Sequence, residues 1–254
     1  MNLAATPPAV GPRQSNLAGW ALLEYDVVGS TNYVAAKLGA WHAVRADTQT
    51  AGRGRFQRAW VSDAGGLWLS AVVPTGLDHQ RWQALPLVAG LAVIESLKKF
   101  GVPSARLRWP NDIMVNERKL AGLLVDNFAP QLSVIGLGVN VTNDPAAHDA
   151  DLKNSATRLA DLVPEPPSLT ALMETILIAF RSVIGPLANA GLGALQPRLN
   201  QLWGGPRRVT VDLDGMRRDG LFTGVDDHGR LLLQDEARHF TALEPHQVKL
   251  LREL

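Results

Sequence analysis

The sequence predicts an α+β fold: a mixed or antiparallel sheet packed with helices, followed by a small all-β domain. Three observations carry that prediction. Between Trp20 and Val141, strand-like runs are divided by glycine, proline and asparagine at the short intervals that favour antiparallel pairing. Two longer runs, "RWQALPLVAGLAVIESLKKF" and "SLTALMETILIAFRSVIGPLA", are apolar on nearly every turn, as core helices are. From "GGPRR" onward the texture changes to short alternating strands joined by Asp-Gly and His-Gly turns.

The opening "MNLAATPPAVGPRQSNLAG" lacks the basic start and apolar run of a secretory signal and reads as a short flexible arm. "WALLEYDVV" reads as a strand, Gly29 as a turn, and "STN" as the start of a short helix that Ser30, Thr31 or Asn32 would cap with a side-chain oxygen. "AVRAD" alternates like a strand and enters a glycine-bearing loop, while "GGLWLSAVV" is apolar on both faces, which predicts burial on both. In the run from Arg81 to Phe100, Pro86 fits the first helical turn, Lys98 and Lys99 suit the negative helix end, and Gly101 suits a left-handed stop. Three strand-like pieces follow, "ARLRWPNDIMV", "RKLAGLLVDN" and "LSVIGLGVNV". "SATRLADLV" and the run from Ser168 are predicted helical, each with a serine at its start, and Gly191 to Trp203 adds a further helix. In the last segment Val209, Val211 and Leu213 share one face, as do Leu231 and Leu233, which predicts a barrel too small to be more than marginally stable alone. The expected organisation is an arm over 1–19, a main domain over 20–205 and a small domain over 206–254.

Composition narrows the function. Lys and Arg number 25 against 24 Asp and Glu, so no broad positive field for nonspecific nucleic-acid binding is present. With no cysteine, thiolate catalysis, disulfides and cysteine zinc sites drop out, and the six histidines show no metal spacing. No stretch approaches the roughly 20 unbroken apolar residues of a membrane span, and a cytoplasmic protein without membrane contact is expected.

Three stretches carry chemistry. In "QTAGRGRFQRAW", Gly52 and Gly54 let the backbone turn and approach a ligand closely, while Arg53, Arg55 and Arg58 project guanidinium forks suited to phosphate oxygens. The spacing is not that of a P-loop. Trp60 at its end has the surface to stack on a purine, although solvated arginines and a core tryptophan would read the same way. In "RWPNDIMVNERKLAG", Asn111 and Asp112 emerge at a strand junction, and pairing through "NE" would bring Asp112 to the same hairpin end as Lys119; a plain cross-strand ion pair is the alternative. In "VIGLGVNV", Gly136, Gly138 and Asn140 alternate, so they share one strand face with a slot that either a flat ligand or a tightly packed helix would fill.

Taken together, "STN" at 30–32, "QTAGRGR" at 49–55, "WPND" at 109–112, "RKLAG" at 118–122 and "GLGVN" at 136–140 resemble the biotin–protein ligases of the short bacterial type, over Trp20 to Leu254. The resemblance implies a class II synthetase-like catalytic domain with a C-terminal SH3-like domain. It also implies that biotin is activated with ATP and magnesium to biotinyl-5′-AMP and passed to a lysine of a biotin carboxyl carrier protein domain. On that resemblance Ser30, Thr31, Asn32, Gln49, Gly52 and Arg53 would meet biotin, and Gly122, Gly136 and Gly138 would leave room along its wall. Arg53, Arg55, Arg58, Trp60, Asn111 and Asn140 would hold the nucleotide. Lys119 would bridge biotin and the α-phosphate, with Asp112 as magnesium ligand or acceptor-lysine activator and Arg55 as a further catalytic group.

The sequence departs from the family pattern at Gln57, where glycine is usual, and at Arg108, where lysine commonly precedes "WPND". About 19 residues before the main domain are too few for a helix-turn-helix, so no specific DNA binding is expected. A homodimer stays open. Two alternatives stand beside the ligase reading: a lipoate or octanoate ligase on a related fold, which the polar Ser30, Thr31 and Gln49 disfavour, and a noncatalytic biotinyl-adenylate or nucleotide sensor.

Overall fold

The computed structural model describes residues 11–254, apart from 148, 204 and 214. Eight strands form the main sheet, in the order β1-β2-β3-β4-β8-β7-β6-β5. They are β1 (Arg13–Leu17), β2 (Trp20–Val28), β3 (His42–Gln49), β4 (Leu67–Pro74), β5 (Arg106–Arg108), β6 (Asp112–Val115), β7 (Arg118–Ala129) and β8 (Leu132–Val139). The sheet is mixed: β2 and β3 run parallel, joined through the short helix α1 (Thr31–Ala35), and the other neighbours are antiparallel. Residues 13–17, expected within a flexible arm, instead pair with β2 as an edge strand. Residues 1–10 of that expected arm lie outside the described residues.

Strand alternation divides the sheet into two working faces. Leu67, Leu69, Ala71 and Val73 of β4 and Ile135, Leu137 and Val139 of β8 join the main core. That face packs against α3 (Leu85–Lys99) and α4 (Leu169–Ala190), with the Trp20 indole donating to the Leu177 carbonyl at 3.1 Å. On the opposite face Val72 and Val134 pack with Ala35 of α1, and Ser70, Gly136 and Gly138 face the same way. A one-residue slip would put glycines in the core and leucines in the site, so the hydrophobic pattern also fixes the site.

In the run from Arg81 to Phe100 the regular helix α3 starts only at Leu85, with Pro86 in its first turn as predicted, and a separate short helix α2 (His79–Trp82), capped by Asp78, precedes it. α4 is long and apolar enough to cross a membrane by composition alone, yet Leu172, Ile176, Phe180, Val183 and Leu187 along it are buried in the core. Ser168 caps it by accepting from the Ala171 N–H. "SATRLADLV" is not a regular helix: only Leu159–Asp161 form a 3-10 turn. Thr157, Leu159 and Ala160 donate their N–H groups to the carbonyls of Lys119, Asn140 and Val141, so pairing with strand ends satisfies the backbone and displaces the helix. The predicted helix after Gly191 is a 3-10 turn followed by α5 (Gln196–Leu202).

The second sheet is antiparallel and five-stranded, in the order β12-β11-β10-β9-β13, consistent with an SH3-like domain. Its strands are β9 (Arg207–Leu213), β10 (Met216–Val225), β11 (Leu231–Gln234), β12 (Phe240–Leu243) and β13 (Leu250–Glu253). Its buried Val209, Val211, Phe222 and Leu231 belong to the same apolar core as Trp203 and Leu107, so the small sheet does lean on the larger one. Polar ties reinforce the contact. The Trp109 indole donates to Gly229 O at 3.0 Å, and Glu253 takes Arg106 at 2.5 Å and Arg207 at 2.8 Å.

Candidate active site

A cavity of about 420 Å³ opens on the glycine-bearing face of the main sheet, within the usual range for a small-molecule site. Its wall carries Ser30, Thr31, Asn32 and Gln49, the arginine loop from Arg53 to Val61, "RWPND", Lys119, Gly122, Gly136, Gly138 and Asn140. Residues 248–251 of the small domain close one side. Of the residues singled out in the sequence, Gln57 of the loop is not on the wall, and neither is Gly52. Gly52 sits at the base of the loop, where a Cβ would collide with Ser62 Oγ and Trp60 O.

The polar end is built by α1 and β3. Gln49 Oε1 accepts from the Thr31 N–H at 2.8 Å and from its hydroxyl at 3.0 Å, and Gln49 Nε2 donates to Ser62 Oγ at 2.9 Å. Ser30 occupies the N-cap position but makes no side-chain cap bond, contrary to expectation, and Thr31 and Asn32 turn into the sheet instead. Ser70 on β4, which sequence reasoning passed over, touches both, at 2.7 Å from Thr31 Oγ1 and 2.6 Å from Asn32 Oδ1.

The hairpin of β6 and β7 turns at Asn116 and Glu117, both with positive φ, as two-residue hairpin turns require. It does bring Asp112 and Lys119 together. Lys119 Nζ lies 2.5 Å from Asp112 Oδ1, and Arg108 lies 2.8 Å from Oδ2. Burial alone would raise the Asp112 carboxyl, but the charges and hydrogen bonds of Lys119 and Arg108 outweigh it and hold the group below the usual carboxylate range. Its stabilising contribution is therefore fully present above the ordinary carboxylate pKa of about 3.9 and is lost as pH falls through the lower folded value. Asp112→Asn should cost roughly 1–2 kcal/mol at neutral pH and flatten the acid limb of stability, read by denaturant melts from neutral pH to below the ordinary carboxylate pKa. An unchanged acid limb would contradict the pairing.

The glycines do leave a slot, and parts of the chain lie in it. Gly122 and Gly138 stand opposite each other on β7 and β8, and the Trp60 indole lies over both. A Cβ at Gly138 would approach Trp60 Nε1 to 2.5 Å, and one at Gly136 would collide with the Asn32 amide. Lys119 Nζ stands 4.9 Å from the Trp60 ring centre, a cation–π arrangement. Asn111 and Asn140 face the cavity with their amides already donating to backbone, to Leu123 O at 2.5 Å and Thr157 O at 3.1 Å. In this structure Asn111 ties the β5–β6 turn to β7, and Asn140 ties the end of β8 to the loop at Thr157.

The arginine loop is an ordered hairpin: Arg53 bridges Ala59, and the Gly54 and Trp60 N–H groups donate to Arg58 O and Gly52 O. Its guanidinium groups point to different places. Arg53 reaches Asp126 at 3.4 Å and stacks over Tyr33 at 4.1 Å. Arg55 donates to Pro245 O and, at 3.1 Å, to Val248 O, and Arg58 donates to Lys249 O at 3.2 Å. Burial pushes the Arg55 guanidinium below its ordinary value against the attraction of Asp112. The carbonyls accept these bonds without neutralising charge, so cations still outnumber the cavity's carboxylates, Asp112 and Glu117.

Gln57, the departure from the family pattern, has φ 58°, the left-handed region where glycine is unstrained and other residues cost about 1 kcal/mol or more. Gln57→Gly is expected to leave the melting temperature unchanged or higher. A clear fall in a thermal scan would show instead that the Gln57–Arg53 hydrogen bond at 3.3 Å dominates.

Among the described residues, no group of three or more His, Asp or Glu side chains could hold a metal ion. Both oxygens of Asp112 are already in ion pairs, so magnesium there would compete with two fixed cations, Lys119 and Arg108.

The fold and its cavity, with a polar end, a glycine slot and a cationic end, define a protein of the biotin and lipoate ligase type. Residues 35–140 match the Biotin/lipoate A/B protein ligase family. A biotin–[acetyl-CoA-carboxylase] ligase of Mycobacterium tuberculosis is 36% identical over 232 residues, covering 85% of this chain and 84% of that protein. A protein of the same description from Paracoccus denitrificans is 31% identical, over 82% of this chain and 92% of its own. The chain belongs to the biotin protein ligase family. In fold it superposes on the biotin protein ligase of Aquifex aeolicus in complex with biotin and ATP, with TM-score 0.81 and 23% identity over 92% of this chain and 99% of that one.

Proposed function

We propose that the protein is an ATP-dependent biotin–protein ligase that activates biotin to biotinyl-5′-AMP and transfers it to a lysine of a biotin carboxyl carrier protein domain in the cytoplasm. One observation carries the reading: a single cavity joins the Thr31–Gln49 polar end to the Lys119–Asp112 pair through a glycine slot. Biotin needs those features in that order, a polar end for its ureido ring, a smooth wall for its body and a cation at its carboxylate.

In the first step a carboxylate oxygen of biotin attacks the α-phosphorus of ATP, a mixed anhydride forms and pyrophosphate leaves. Two like unit charges about 4 Å apart repel by about 4 kcal/mol at an effective dielectric near 20. Lys119, with Arg55 and Arg58 drawn from their carbonyl partners, offsets that repulsion and stabilises charge on the leaving oxygens. Trp60 would leave the glycine slot as biotin enters and then cover the adenine. In the second step the neutral acceptor amine attacks the anhydride carbonyl, the amide forms as the carbonyl–phosphate bond breaks, and AMP leaves while the nitrogen's proton passes to solvent. A carboxyl held below its ordinary range is a weak proton acceptor, so Asp112 is assigned to holding Lys119 and Arg108 in place, not to deprotonating the acceptor lysine. Asn111 and Asn140 brace the nucleotide end.

Calorimetric competition between biotin and lipoate tests the ligand. Biotin binding that lipoate does not displace supports the reading, and the reverse preference moves the chain to the lipoate branch of the fold.

A further inference from the structure

Asp126 is outside every motif, yet it lies on the site face of β7, two residues beyond Leu124 and four beyond Gly122. Its Oδ2 accepts from Asn32 Nδ2 at 2.9 Å and from Arg53 at 3.4 Å. An ionised carboxylate offers only acceptors, so Asn32 must turn its NH2 toward Asp126 and its carbonyl oxygen away. That oxygen meets Ser70 Oγ at 2.6 Å. The Ser70 hydroxyl must therefore donate to Asn32, and toward Thr31 Oγ1, 2.7 Å away, it can only accept.

Gln49 is fixed in the same manner. Its Oε1 accepts from the Thr31 N–H, leaving Thr31 one hydroxyl hydrogen for two acceptors, Ser70 Oγ and Gln49 Oε1. The hydroxyl hydrogens of Ser70 and Thr31 thus serve three oxygen–oxygen contacts. The floor is short of a donor, and Thr31 Oγ1 on the cavity wall, which accepts from neither Ser70 nor Gln49, holds lone pairs ready for an incoming N–H.

We infer that Asp126 is a positioning residue that sets the hydrogen-bond polarity of the cavity floor, through Asn32 and Ser70, so that it receives the N–H groups of a cyclic urea. The inference rests on the biotin reading of this site. Asp126→Asn would let the new amide donate to Asn32, allow Asn32 to flip and allow Ser70 to reverse. Asp126→Glu keeps an acceptor in reach and should behave like the parent.

The experiment is biotin calorimetry and steady-state kinetics on the full chain, with Asp126→Asn, Asp126→Glu, Ser70→Ala and the Asp126→Asn/Ser70→Ala double variant. Asp126→Asn should weaken biotin about tenfold and raise its KM to match, with kcat within about twofold and the KM for ATP unchanged. Because the effect passes through Ser70, the double variant should be no weaker than Ser70→Ala alone. Parent-like affinity in Asp126→Asn, or losses that add in the double variant, would overturn the inference while leaving the ligase reading intact. If Asp126→Asn does not fold, parent-like affinity in Ser70→Ala does the same. A folded parent that binds no biotin overturns both.

Discussion

Replacing Lys119 with alanine is expected to lower adenylate formation by about 10²–10³-fold, with the fold retained. Lys119 Nζ is held between the Asp112 carboxylate and the Trp60 ring, beside the slot where the biotin carboxylate would meet the α-phosphate. A fixed cation there acts on charge that is closer together in the transition state than in the separated reactants, so its loss should appear in kcat more than in KM. Asp112 keeps Arg108 at 2.8 Å in the variant, so no carboxylate is left without a partner. Pyrophosphate release at saturating biotin and ATP checks this. A rate within tenfold of the parent would remove Lys119 from the chemistry.

Arg55→Gly should release the adenylate at least tenfold faster and let it acylate bystander lysines. The side chain is the loop's main attachment to the small domain, with bonds to Pro245 O and Val248 O where Arg58 makes one to Lys249 O. On the proposed reading its loss removes both a phosphate partner and the hold that would keep the loop closed against water. Measured release of preformed adenylate, with mass spectrometry of bystander proteins, tests it. Retention equal to the parent would mean that closure does not depend on this contact.

Local chemistry made much of the site legible. The "NE" turn and strand alternation were enough to place Asp112 beside Lys119, and the alternation of Gly136, Gly138 and Asn140 was enough to predict a slot. What was missed depends on partners distant in sequence. No local pattern reveals that Arg55 and Arg58 would reach carbonyls in residues 245–249, or that Trp60 would lie over Gly138. The helix expected in "SATRLADLV" lost to strand-end pairing with Lys119, Asn140 and Val141. Asp126 did have a signal: counting by twos from Gly122 along β7 reaches it, on the face that carries the site.

Intact-mass spectrometry of a purified biotin carrier domain incubated with the protein, biotin, ATP and magnesium reads ligation itself. A single biotinyl mass gain on one carrier lysine is expected, dependent on ATP and lost with Lys119→Ala. A carrier that stays unmodified while the folded protein binds both biotin and ATP would rule out ligation and leave a protein that senses these ligands without joining them to another.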